Sequence, residues 1–303
     1  MRVVFMGTPD FAAASLRALY GAGYDIAAVI SRPDSPKNRG MKLTPSPVKQ
    51  AAMELGLPVY TPTKIKSEET AELLRSFNAD VFAVVAFGRL LPQSILTMPP
   101  MGCVNVHGSL LPQYRGAAPV QWSVLNGDKV GGVTTMLLDE GMDTGAMLMS
   151  RSVEIGEYET FGELYERLAG VGAELLLETL SGLAAGTVIP TPQDEARASY
   201  APPVTKDMCP VDWNDDSIDI INKIRGLNPS PAASADICGV RFKLFAARRG
   251  GDSALEPGSI VCADKNGIEI ACGGGKTIVI TELQAAGGKR MHAADYLRGH
   301  PLA

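Results

Sequence analysis

Apolar residues in the first half of the chain fall into short runs separated by turn residues and by helical stretches. Residues 3–6 (Val-Val-Phe-Met) form a buried-strand run that stops at Gly7-Thr8-Pro9-Asp10, and the Ala/Leu-rich residues 11–20 then predict a helix. Residues 26–30 predict the next strand, 48–55 and 69–77 two helices, and 81–86 (Val-Phe-Ala-Val-Val-Ala) a fully buried strand. Residues 103–106 and 133–138 are two more β-prone segments. Strands alternating with helices predict an α/β domain with a mostly parallel sheet covered on both faces. Such sheets hold ligands beyond the carboxyl ends of their strands, where strand order reverses.

The second half changes period. Thr160-Phe-Gly-Glu163 reads as a capping box opening a long helix, with Phe161, Leu164, Leu168, Val171, Leu175 and Leu183 on one stripe and Gly186 near its end. Residues 188–203 carry Pro190, Pro192, Pro202 and Pro203 and read as a linker. Beyond it come a helix at 217–225 and short strands at 241–246, 259–262, 267–271 and 277–283, the pattern of a small β-barrel.

The length of 303 residues agrees with two domains. Hydrophobic residues make up 46% of the chain and charged ones 20%, which fits a folded globular protein and argues against disorder. No apolar run is long enough to span a bilayer, and the first residues read as a strand, not a signal peptide. The five cysteines are odd in number, widely spaced and without a C-x-x-C pair, so a reducing cytoplasm is expected and no zinc site or disulfide framework is. The net charge of −5 sits entirely in residues 1–203; residues 204–303 carry 12 basic and 12 acidic side chains. Arg241, Lys243, Arg248, Arg249, Lys289, Arg290 and Arg298 lie in that neutral part, either as an ordinary solvated surface or as a basic face for a polyanion.

The candidate chemistry lies at Asn105, His107 and Asp143. Of three histidines, His107 is the only one outside the last dozen residues. Asn105 and His107 are two apart, so on a strand both point to one face. An Asn amide can donate to a developing oxyanion, and a His can move a proton near neutral pH. A carboxylate favours the protonated imidazole. Asp143, in Leu-Leu-Asp-Glu-Gly-Met-Asp-Thr-Gly after the strand at 133–138, is expected at the same sheet edge. Taken alone, a His beside an Asn is more often a structural hydrogen-bonding pair. G-x-S-x-G is absent, so nucleophilic hydrolysis is poorly supported. Gly7-Thr8-Pro9-Asp10 matches neither G-x-G-x-x-G nor a P-loop and reads as an ordinary βα turn. Residues 33–43 form a long polar loop flanked by Arg32 and carrying Lys37, Arg39 and Lys42, either a solvated loop or one that meets a phosphate backbone.

These stretches resemble the folate-dependent formyltransferase family. The residues that carry the resemblance are MGTPDFA at 6–12, RGMKLTPSPVK at 39–49, VVAFGRLLP at 84–92, NVHGSLLPQYRGAAPVQW at 105–122, GVTTMLLDEGMDTGAML at 132–148 and VDW at 211–213. NVHGSLLPxYRG with a downstream DxGxDTG marks the family. GTPDFA with RGxKLxPSPVK narrows the resemblance to the branch whose acceptor is a charged initiator tRNA. It spans nearly the whole chain. It implies an α/β, Rossmann-like catalytic domain at 1–188, a linker at 189–206 and a small OB-like β-barrel, the tRNA-binding domain, at 207–303.

The resemblance further implies transfer of the formyl group of 10-formyltetrahydrofolate, the co-substrate, to the α-amine of initiator methionyl-tRNA, without a metal. Asn105, His107 and Asp143 match the family's catalytic trio: oxyanion donors at Asn105 and His107, proton handling at His107, and Asp143 tuning it. Ser109, Leu110, Leu111 and Pro112 match its folate-contacting segment. Phe87, Gly88 and Leu90 with Asp139 are expected to wall the pterin pocket. Arg39 and Lys42 match the loop that meets the tRNA acceptor arm. Three positions depart from the family pattern: Asn38 in place of a glycine, Phe87 in place of a tyrosine and Ser230 in place of a tryptophan. A monomer is expected. Two alternatives stay open: a formyltransferase whose acceptor is a ribonucleotide amine or an amino sugar, and a folate- or RNA-binding protein without turnover.

Overall fold

The computed structural model describes residues 1–37 and 42–301. The chain divides into two compact units. The first comprises Met1–Pro119, Gly132–Val153 and Tyr165–Ala201; the second comprises Val120–Gly131, Glu154–Leu164 and Pro202–Ala303.

The chain opens with β1 (Arg2–Gly7), α1 (Asp10–Gly21) and β2 (Asp25–Ile30). A hairpin of β3 (Ser35–Lys37) and β4 (Lys42–Thr44) follows, with Ser35 opposite Thr44. The sequence reads this stretch as open loop, but its two arms pair as an antiparallel ladder. Next come α2 (Pro47–Glu54), β5 (Val59–Tyr60), α3 (Glu68–Ser76) and β6 (Val81–Val85). Ser46 Oγ caps α2 by accepting from Lys49 N at 3.0 Å, with Pro47 at the first helical position, where its missing N–H costs nothing. After α4 (Gln93–Leu96) come β7 (Cys103–His107), β8 (Arg115–Gly116) and α5 (Pro119–Leu125). β9 (Val130–Leu137), β10 (Met147–Glu154), α6 (Phe161–Ala184) and β11 (Tyr200–Ala201) complete this part.

The main sheet of the first unit has the order β10-β9-β7-β6-β1-β2-β5. It is parallel from β5 to β7, and β9 then runs antiparallel to β7. β6 and β7 are buried at every position, as strands covered on both faces must be. Met6, Ile30, Phe82, Val84, Phe87 and Ile95 form one of its cores. Each such side chain stabilises the fold by roughly 1.5–3 kcal/mol. Strand order reverses at β1, which has β2 on one side and β6 on the other.

The second unit is built from α7 (Ser217–Gly226), β12 (Ala233–Ile237), β13 (Val240–Asp252), β14 (Ile260–Asp264), β15 (Gly267–Ala271), β16 (Lys276–Ala285), β17 (Met291–His292) and α8 (Ala293–Gly299). Its antiparallel sheet has the order β12-β13-β16-β15-β14, with β17 also on β16. Ile220, Ile224, Phe242, Leu244, Ile268, Ile278, Ile280 and Leu283 fill its core. Residues 120–131, leading into β9, and 154–164, following β10, belong here too. Gln121 Nε2 donates to the Gly226 carbonyl at 3.0 Å, and Arg225 Nη1 donates to the Gly156 and Glu159 carbonyls at 3.2 and 3.1 Å. The expected capping box is formed: Thr160 N donates to Glu163 Oε2 at 2.8 Å, and Glu163 N to Thr160 Oγ1 at 3.3 Å. No helix among the described residues is long and apolar enough to cross a membrane.

Candidate active site

β7 presents Asn105 and His107 on one face, both buried. Its neighbours fix their height in the sheet: Asn105 lies opposite Val84 on β6 and Met136 on β9, and His107 opposite Thr134. Among the described residues no protein group hydrogen-bonds to the Asn105 amide. Asn105 is 8% exposed, and Ser15 Oγ alone among the described side-chain N and O atoms is both fully enclosed and unpartnered, so the Asn105 amide stays accessible to a ligand.

His107 Nε2 faces the Tyr114 carbonyl at 2.9 Å. A carbonyl only accepts, so Nε2 carries the hydrogen and Nδ1 is the nitrogen free to exchange a proton. Nδ1 stands 3.6 Å from Asp143 Oδ2. That is too long for a good direct hydrogen bond but close enough for the carboxylate to stabilise an imidazolium. Asp143 Oδ2 also accepts from Gly116 N at 2.9 Å.

Asp143 reaches this place by a route the sequence does not suggest. β9 is antiparallel to β7, so the loop after it starts beside Cys103, where Leu138 N donates to the Cys103 carbonyl at 2.8 Å. The loop then spans the length of β7 to bring Asp143 beside His107. His107 is the last residue of β7, so the His107–Asp143 pair lies at the carboxyl end of that strand. Within the loop, Asp139 Oδ1 accepts from Gly141 N at 3.1 Å and Thr144 Oγ1 at 2.7 Å. A Cβ at Gly145 would fall on the Leu137 carbonyl, so that close approach requires glycine. Asp143 itself has φ 55°, a left-handed conformation that Asp tolerates better than most residues.

Segment 109–112 is held against β9. Thr134 Oγ1 donates to the Ser109 carbonyl at 2.7 Å and accepts from Leu111 N at 3.1 Å. Ser109 Oγ donates to the Gln113 carbonyl at 2.6 Å, and Leu111 and Pro112 are buried. Phe87 is buried in the apolar core and its carbonyl accepts from Thr8 Oγ1 at 3.3 Å, while Gly88 and Leu90 are exposed. Arg39 lies outside the described residues, and Lys42 opens β4. No group of three or more His, Cys, Asp or Glu residues among those described is arranged to hold a metal ion.

Reading the sequence by motif misses a second layer. Arg115 is fully buried and bonds Glu195 through two hydrogen bonds, Nη1 to Oε2 at 2.9 Å and Nη2 to Oε1 at 2.7 Å. Its Nε donates to Gln193 Oε1 at 3.0 Å. The bidentate contact holds the Glu195 carboxyl below the usual carboxylate range and pushes the Arg115 guanidinium up. Gln193 Nε2 in turn donates to the carbonyls of Asp143 and Gly145, both at 2.8 Å. Arg115 is part of the quoted YRG, but nothing local marks Gln193 or Glu195.

Comparison with known proteins agrees with the geometry. The formyl transferase family model matches residues 1–180, and the formyl transferase C-terminal domain matches 203–301. The chain is 47% identical over 302 residues to a methionyl-tRNA formyltransferase of Trichlorobacter lovleyi, covering 100% of this chain and 95% of that one. It is 46% identical over 308 residues to a methionyl-tRNA formyltransferase of Lachnospira eligens, covering 100% and 98%. Among solved structures, an N-formyltransferase of Helicobacter canadensis in complex with folinic acid and dTDP-3-aminofucose shares the fold, with TM-score 0.70 and 19% identity over 92% of this chain and 98% of that one. HypX of Aquifex aeolicus with tetrahydrofolic acid does so as well, with TM-score 0.67 and 19% identity over 98% of this chain and 47% of that one. With both domains matched and the full-length identities this high, the chain belongs to the methionyl-tRNA formyltransferase family of formyl transferases.

Proposed function

We propose that this chain transfers the formyl group of 10-formyltetrahydrofolate to the α-amine of methionyl initiator tRNA. The observation that carries the chemistry is the pairing of His107 Nδ1 with Asp143 Oδ2 at 3.6 Å, with the Asn105 amide on the same face of β7 as His107.

The neutral amine attacks the formyl carbon, a C–N bond forms, and the carbonyl π pair moves to oxygen. Asn105 donates to that oxyanion, a preorganised contact of the type whose removal costs on the order of 10²–10³ in rate. The proton lost from nitrogen passes to His107 Nδ1, and Asp143 stabilises the imidazolium. As the C–N10 bond breaks, the imidazolium returns a proton to N10 and tetrahydrofolate leaves. The 109–112 segment, the 87–90 turn and the 139–143 loop hold the folate. Arg39, Lys42 and residues 207–303 engage the tRNA, and the enzyme works as a cytoplasmic monomer.

Single-turnover formylation tests this reading, with charged initiator tRNA, free methionine, glycinamide ribonucleotide or an amino-sugar nucleotide as acceptor. Rapid transfer to the charged tRNA alone is expected. Transfer only to a small amine would keep the chemistry and discard the tRNA, and binding of folate without transfer to any acceptor would overturn both.

A further inference from the structure

We propose that Gln193 is a positioning residue for catalysis, and that residues 193–201, which the sequence reads as linker, form part of the active-site scaffold. The inference rests on the formyl-transfer reading of Asn105, His107 and Asp143.

The Arg115 Nε–H can only donate, so the Gln193 side chain must turn Oε1 toward it. The Asp143 and Gly145 carbonyls can only accept, so the other end of Gln193 must be Nε2, which has two hydrogens for two carbonyls. Both ends therefore require the same orientation of the amide, and no flipped alternative satisfies either neighbour.

Arg115 is fixed in turn. Glu195 grips its guanidinium in bidentate fashion, and its backbone N donates to the Ser199 carbonyl at 2.8 Å. β8 and β11 pair in parallel, Arg115 with Tyr200 and Gly116 with Ala201. Tyr114 N donates to Ser199 Oγ at 2.9 Å, while the Tyr114 carbonyl orients His107. The 193–201 segment is thus tied to both partners of the His107–Asp143 pair. On one side it supports the residue that fixes the imidazole, and on the other it holds the backbone that carries the carboxylate.

This control matters because Asp143 sits in a conformation that little else enforces. A non-glycine residue at φ 55° persists where its surroundings over-determine it. Here one amide grips its carbonyl, and Gly116 N grips its carboxylate. Releasing the backbone would let the carboxylate drift from Nδ1, and a displacement of about 1 Å in a catalytic group costs on the order of 10²-fold in rate.

Two variants of the full chain test the proposal. Gln193→Leu removes both ends of the link. Gln193→Glu keeps an oxygen for Arg115 but replaces the double donor with a carboxylate that cannot donate to the two carbonyls. Steady-state and pH-dependent formylation would be measured with thermal melting as a folding control. For both variants kcat should fall by on the order of 10²-fold, with KM for folate and charged tRNA unchanged and the kcat–pH profile displaced. Should Gln193→Leu fail to fold, Gln193→Glu carries the test alone. Wild-type kcat and pH profile in Gln193→Glu would overturn the proposal. So would a kcat loss that follows the loss of folded protein while the pH profile stays put. A wild-type chain inactive toward charged tRNA would instead overturn the reading on which the proposal rests.

Discussion

Each compact unit buries an arginine, and the two are used in opposite ways. Arg115 in the first unit is wholly inaccessible, yet its carboxylate partner, Glu195, is 71% exposed. Arg225 in the second unit is also buried, and its Nε and Nη1 donate to neutral oxygens: Asn222 Oδ1 at 2.9 Å and the Gly156 and Glu159 carbonyls. The two guanidinium groups, both charged, shift in opposite directions. The contact with Glu195 pushes the Arg115 guanidinium up, whereas burial pulls the Arg225 guanidinium down. Arg225 joins α7 to the 154–164 segment and ends at the Asn222 side chain and at backbone. Arg115 ends, through Gln193, at a residue with chemistry. A buried charge whose hydrogen bonds close on the backbone is structural. One whose hydrogen bonds continue to a titratable pair also reaches function.

The widest separation of chemistry from stability should come from His107→Ala. Turnover should fall by about 10²–10⁴-fold, the usual contribution of a positioned proton-transfer group. Folded stability should change little. A variant within a few-fold of normal turnover would remove the proton role from β7 and leave the first unit's buried network without a catalytic purpose.

The arginine pair comes next. Arg225→Met leaves three acceptors without their donor and should cost about 3 kcal/mol in denaturant unfolding, with normal kcat in the fraction that remains folded. Arg115→Met should cost less stability, about 1–2 kcal/mol, because Glu195 already faces water. Its kcat should nevertheless fall by roughly tenfold as Gln193 loses its orienting donor. Equal effects of the two substitutions on kcat would erase the distinction.

Acid sharpens the contrast. The Glu195 carboxyl is lowered in the folded state, so its contribution is complete above the ordinary carboxylate value of about 4.3 and is lost as pH falls through the lowered folded value. The difference in melting temperature between wild type and Glu195→Gln should be constant from neutral pH down to that range and shrink below it. A difference that grows on acidification would contradict the pairing.

The smallest effect is a matter of labelling. Burial raises the thiols of Cys103 and Cys272 to about 12 and about 11, and raises Cys209 as well. Cys238 and Cys262 are exposed. Alkylation of the native protein near neutral pH should therefore mark the second unit only, at Cys238 and Cys262, with the other three reacting on unfolding. Native labelling of Cys103 would show that the parallel sheet opens more readily than its burial implies.

The parts of the fold carried by local pattern were legible in the residues. The buried runs at β1, β2, β6 and β7 and the capping box of α6 lie where their patterns indicate. Less was legible where the pattern is weak. β12, Ala-Ser-Ala-Asp-Ile, has little β propensity and is held by its pairing with β13. β10 opens with only three apolar residues, Met147-Leu148-Met149, all partly buried, and then alternates exposed with partly buried positions at the sheet edge. The far end of β13, Arg-Arg-Gly-Gly-Asp, reads as loop and is a strand only because β16 lies beside it. In the site, Asn105 and His107 could be named from their spacing and from the resemblance. Asp143 is expected at the same sheet edge and does meet His107, but the path of its loop could not be traced, because it depends on β9 running backwards. Gln193 and Glu195 left no sign, since hydrogen bonds across some 80 positions impose no periodicity on the chain.

The pairing of β8 with β11 also bears on how the protein can be cut into parts. A fragment ending at residue 180 or 188 would contain Asn105, His107 and Asp143 but would stop short of Gln193, Glu195 and the strand that pairs with Arg115 and Gly116. Such a piece would expose a buried guanidinium and release the Asp143 loop, so its silence in an assay would say nothing about the need for tRNA-binding residues farther along. A dissection that keeps the chain through Ala201 retains this scaffold but still strips residues 120–131 and 154–164 of their bonds to Gly226 and Arg225.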